Sequence, residues 1–156
     1  MQQQVQKNIF IYKFLNGLSS VGFSKYTICY VSFRAKEAMG YFGNYRNEEF
    51  NEKMEGRIVV KSWKELQSKF PICILGDYAI APDQFSGIIM IDNSQAMDHP
   101  DKYIPRILTA FKNRSTLLLN QFHGTHGRVF WENRYDEIKI DSVESFNKAL
   151  GLLKEE

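Results

Sequence analysis

The chain predicts a single α+β domain, an antiparallel sheet with helices packed mainly on one face. Three observations carry this expectation. Residues 26–34, 72–80, 85–92 and 129–140 are rich in β-branched and aromatic side chains. Residues 57–69 and 104–122 repeat apolar residues at helical spacing, and a third such pattern closes the chain. The resulting order is strand, helix, strand, strand, helix, strand, helix, which suits a sheet layer against a helix layer.

The bulk properties fit one domain. A chain of 156 residues is long enough to bury a proper core. Its 44% hydrophobic and 24% charged residues are those of a globular protein. Aromatic residues make up 14%, which requires rings in the core or on a binding face. A net charge of +2 points to no partner by itself. Cys29 and Cys73 lie far apart with no C-x-x-C spacing, as buried free thiols of a cytoplasmic protein do. No apolar run approaches the ~20 residues of a membrane span, so no membrane partner is expected. The run Ile9 to Tyr12 is short, is followed by Lys13 and lacks a cleavage site, so it does not read as a signal peptide.

Taken in order, residues 1–7 are polar and Gln-rich and read as a frayed end. Residues 8–23 carry no assignable pattern. Residues 26–34 form a strand, followed by an aromatic and glycine-rich connection over 39–45 and a polar stretch to Glu55. The helix over 57–69 places Ile58, Val59, Trp63 and Leu66 on one face and ends before Pro71. Ala81-Pro82-Asp83 separates two strands, because proline cannot donate to a ladder. The run Gly87 to Ile91 reads as a central strand buried on both faces. Residues 94–100 form a loop. The long helix that follows has Ile107, Leu108, Phe111, Leu118 and Phe122 as its apolar face. Residues 123–127 are a loop and 129–140 a strand. Asp141 and Ser142 cap a last helix with Phe146, Leu150 and Leu153 as its stripe.

The stretch from Asp77 to Asn93 reads D-Y-A-I-A-P-D-Q-F-S-G-I-I-M-I-D-N. It resembles the strand that carries the His-bulky-His (HUH) motif of the single-tyrosine transposases, the insertion-sequence-200-like and REP-associated tyrosine transposases. The frame agrees at Tyr78, Pro82, Phe85, Gly87, Ile88, Ile89 and Ile91. Further pieces follow in order: Gly56, Ile58, Val59 and Trp63, then Phe111 and Lys112, then Trp131 and Tyr135. The likeness covers roughly residues 26–152. It implies a ferredoxin-like or RRM-like sheet, a homodimer, DNA as partner, and a cytoplasmic, nucleoid-associated location.

The resemblance also implies a catalytic set. Two histidines would hold a divalent Mg or Mn ion that polarises the scissile phosphate, and a tyrosine on the last helix would attack it. The two histidine positions hold Gln84 and Ser86, and the tyrosine position falls at Leu152. A neutral amide and a hydroxyl are poor metal ligands, and leucine is no nucleophile. The expectation is therefore a catalytically inactive homologue without a metal cofactor, which binds hairpin or single-stranded DNA. One alternative is an active enzyme with Tyr135 as nucleophile and a metal site rebuilt from Asp83, Gln84 or the H-x-x-H pair His123 and His126. The plainer reading makes His123 and His126 part of a solvated loop, Asp77 and Asp83 turn formers, and Tyr135 a ring filling the sheet. Another alternative is a protein-interaction module that kept only the fold.

The charge distribution bears on DNA. Lys102, Arg106, Lys112, Arg114, Arg128 and Arg134 are accompanied by a single acid, Glu132, and Trp131 and Tyr135 are interleaved with them. Cations neutralise phosphates and rings stack on unpaired bases. Lys112, Arg114, Arg128, Trp131, Arg134 and Tyr135 are the candidate DNA-binding residues, against an ordinary solvated helix face with core aromatics. Trp63 and Phe111 belong to the core.

Overall fold

The computed structural model describes residues 4–6 and 23–154. Most of the unassigned stretch 8–23 lies outside the described residues. The strands are β1 (Gln4–Gln6), β2 (Tyr26–Ala35), β3 (Gly43–Arg46), β4 (Glu49–Glu52), β5 (Cys73–Ala81), β6 (Gln84–Asp92) and β7 (Trp131–Lys139). The helices are α1 (Met54–Lys64), α2 (Leu66–Lys69), α3 (Tyr103–His123) and α4 (Val143–Lys154).

The main sheet has the order β1-β5-β6-β2-β7, and every neighbouring pair is antiparallel. Without β1, the β-α-β-β-α-β succession gives the ferredoxin-like order, with β6 and β2 central. Their sequences explain the position. Both are buried almost throughout, as strands covered on both faces must be. Their register sets Tyr30 opposite Ile88, Ser32 opposite Ser86 and Arg34 opposite Gln84.

The two faces carry separate cores. Val31, Phe33, Phe85, Ile89 and Ile91 pack against Val59 and Trp63 of α1 and against Ile104, Ile107, Leu108 and Phe111 of α3. The alternate residues Ile28, Tyr30, Ile88 and Met90 pack against Phe146, Ala149, Leu150 and Leu153 of α4. Thus α1 to α3 occupy one face, as expected, and α4 lies on the other. Gly87 permits the first packing. A Cβ there would stand 2.5 Å from Trp63 Cζ2, so the indole rests directly on the strand backbone.

Several expectations need correction. Gln4–Gln6 pair with Tyr78 to Ile80 as an edge strand, so this part of the first seven residues is not frayed. The polar stretch before Glu55 holds the hairpin β3–β4, turned at Asn47 and Glu48, both with positive φ. The helix expected over 57–69 begins at Met54, and α2 is a separate turn after Glu65. The buried face of α3 runs through Ser115 and Leu119, while Phe122 is exposed. Ser115 interrupts the apolar pattern because its hydroxyl donates to Phe111 O and accepts the indole N–H of Trp131 at 2.9 Å.

Candidate functional site

The beginning of β6 is the place to look, because the strand order puts it beside the end of β2. Gln84 and Ser86 point to the same side, as alternation requires, and Ser32 joins them from β2. The Gln84 amide nitrogen donates to Ser32 Oγ at 2.7 Å and to Ser86 Oγ at 3.4 Å. The Ser86 hydroxyl donates to Ser32 Oγ at 3.1 Å, and the Tyr30 hydroxyl donates to Ser86 Oγ at 3.3 Å. Ser86 is fully buried and Ser32 nearly so. The group is neutral and held by two central strands. It lies on the α4 side of the sheet, in the row continued by Ile88 and Met90. Leu152 is half-buried against that same core.

Next to the network is a cleft of about 470 Å³. Ala35, Ala38, Ala81 and Pro82 give it small apolar walls, and Tyr45 of the β3–β4 hairpin adds a ring. Arg34, Asp83, Gln84 and Glu132 supply its polar edge. The turn beneath it is held firmly. The Asp83 carboxylate accepts the backbone N–H groups of Met39, Gly40 and Tyr41 at 3.1, 2.9 and 2.8 Å. Ala35 and Phe42 donate their N–H groups to the carbonyls of Asp83 and Pro82. Gly40, at φ +70°, lets three consecutive donors converge on one carboxylate.

The candidate DNA-binding residues differ in what already holds them. Trp131 is 3% exposed and tied to Ser115, so it belongs to the core and cannot stack on a base. Lys112 donates to the Glu132 carbonyl at 2.8 Å, and burial holds its ammonium below the usual lysine range. Arg114 pairs with Glu65 at 3.2 Å. Arg128 lies over the Phe130 ring at 4.9 Å and near Glu37 at 3.9 Å. Tyr135 packs on Phe33 with centroids 5.5 Å apart, and burial followed by the charge of Glu137 raises its phenol. Arg134 is exposed and, like Arg34, has no ion pair among the described residues.

This placement separates the groups that a rebuilt catalytic site would need. Tyr135 lies on the α1–α3 face with Phe33, whereas Gln84 and Ser86 point to the opposite face. His123 stacks on Phe130 at 5.8 Å and sits 3.8 Å from Glu55, while His126 is exposed. Gln84 and Ser86 offer only neutral oxygens where the resembled family offers two imidazoles, a weak set for a transition metal. The amide and hydroxyls bond one another, and the Asp83 carboxylate is engaged by three N–H groups. Among the described residues, no three His, Cys, Asp or Glu side chains converge as a metal set.

Sequence reasoning found Gln84, Ser86 and Asp83 but missed Tyr30, Ser32, Arg34 and Tyr45. Ser32 carried a visible signal, a lone small polar residue inside the apolar run Y-V-S-F. Tyr45 carried none, since its place in the cleft depends on the unforeseen hairpin. No protein-family model matches this chain, and no curated protein sequence matches it.

Proposed function

We propose that this protein binds hairpin or single-stranded DNA on the framework of a single-tyrosine transposase and does not cut it. One observation carries the reading. The two β6 positions that would hold metal ligands in the resembled family are Gln84 and Ser86, joined with Ser32 in a neutral hydrogen-bond network. Leu152 stands on the helix that would carry the nucleophile, and Tyr135 is on the far side of the sheet. Phosphate contacts then fall to Arg34 and Arg134, exposed cations without an ion pair among the described residues, rather than to the ion-paired Arg114. A homodimer in the cytoplasm, at the nucleoid, completes the reading. Sedimentation of the purified chain tests the dimer.

The test of function is binding of a labelled hairpin with a single-stranded flank, over a salt series, with and without manganese. The expected result is metal-independent binding that weakens with salt and leaves the strand intact. Each lost phosphate contact, in Arg34→Ala or Arg134→Ala, flattens the salt slope by about 0.7–0.9. A manganese-dependent nick or a covalent adduct overturns the non-catalytic reading. No binding at any salt leaves the protein-interaction alternative.

A further inference from the structure

We infer that the cleft between the ends of β2 and β6 receives one unpaired guanine nucleotide. The inference rests on the DNA-binding reading and names the base that the site takes. Its volume of about 470 Å³ falls within the about 300–1,000 Å³ of small-ligand sites and admits no duplex. The small side chains of Ala35, Ala38, Ala81 and Pro82 leave a smooth apolar lining, which suits a flat ring. Tyr45 adds an aromatic wall, and Phe50 steadies it with ring centroids 5.6 Å apart.

The polar edge selects among bases. Gln84 directs its amide nitrogen to the two serines, which leaves its carbonyl oxygen as an acceptor. Glu132 is exposed and contributes a carboxylate, a second acceptor. The cation at the cleft is Arg34, suited to a phosphate. Such a site favours a base that presents donors side by side. Guanine does so on its Watson–Crick edge, where N1–H and the 2-amino group can bond one carboxylate together. Adenine and cytosine offer only an amino group there, and thymine only N3–H. That edge is open only when the base is unpaired. The Asp83 hydrogen bonds to Met39, Gly40 and Tyr41 tie the turn that carries Pro82 to the segment beside Ala38, so these walls stay in place.

The experiment uses the full chain and a labelled hairpin whose thymine flank carries one variable base. Guanine in that position should tighten binding about tenfold over adenine, and hypoxanthine, which lacks the 2-amino group, should lose most of the gain. Glu132→Gln should erase the preference with an unchanged thermal midpoint, because its side chain is exposed. Free dGMP and dAMP, titrated by calorimetry, distinguish a strand from a soluble nucleotide as the source. Hairpin binding that is indifferent to the flank base, or a preference that survives Glu132→Gln, overturns the guanine site and leaves the DNA-binding reading intact. Binding of dGMP without hairpin binding supports the site and overturns the DNA-binding reading. Failure of both ligands overturns both.

Discussion

Cys29 and Cys73 show how burial alone sets a residue's chemistry. Burial pushes both thiols from an ordinary 9.0 up to about 12, with the Glu137 hydrogen bond adding to the effect at Cys29. The folded chain therefore keeps protons that the unfolded chain releases. Stability should be full below pH 9 and fall as the pH rises towards 12. The raised phenols of Tyr78 and Tyr135 act in the same direction, and the lowered Lys112 acts against them. Urea unfolding across this range checks the sign, and the combined change Cys29→Ala and Cys73→Ala should flatten the fall. Native thiols should also resist alkylation at pH 8, since the thiolate is the reactive form. A second residue, Ser115, occupies a core position because it accepts the Trp131 indole N–H. Ser115→Ala leaves that buried donor unpaired and should cost about 1–3 kcal/mol, read from the urea midpoint. The sequence alone gave Trp131 to DNA because its spacing among arginines is visible, whereas its partner sixteen residues away on a helix is not.

At the scale of elements, the β5–β6 turn is the best-determined piece. Pro82 fixed its place in the sequence, and the register places Ala81 opposite Gln84 across it. Its anchoring came from elsewhere, through the three N–H groups of residues 39–41 on Asp83. Asp83→Ala should cost about 1–3 kcal/mol and speed amide exchange at 39–41 while leaving the α3 core protected. Uniform loss of protection would contradict this local role. The β6 interior gives a second test. Gly87→Ala would drive a methyl into the Trp63 ring and should cost about 1–3 kcal/mol, with altered tryptophan fluorescence. The β3–β4 hairpin escaped the sequence because Y-R-N-E-E-F lacks the Asn-Gly or Asp-Gly pair that marks such turns. Its positive-φ residues are Asn47 and Glu48, and glutamate gives no turn signal.

For the whole molecule, the two sides of the sheet differ in what covers them. The α1–α3 side is closed by aromatic packing around Phe33, Phe85 and Phe111, which touch at 5.1–5.3 Å. The α4 side carries the polar network and continues into the cleft. A face that binds phosphates should therefore respond to Arg34→Ala more than to Arg114→Ala, whose guanidinium is paired with Glu65. Parallel salt titrations of the two variants measure the difference, and equal slopes would move the interface to the helical side. By itself, the sequence determined the order of β2, α1, β5, β6, α3, β7 and α4, the hairpin at Pro82, the shared side of Gln84 and Ser86, and the stripe of α4. These follow from local periodicity and turn chemistry, which neighbouring residues impose on each other. Only the tertiary structure decided that Ser32 completes the network, that Trp131 is core, that Tyr135 faces away from Gln84, and that Arg34 and Tyr45 meet at one cleft. Those outcomes depend on strand order and register. Pairing β2 with β6 joins side chains more than fifty residues apart, and no local pattern encodes such a contact.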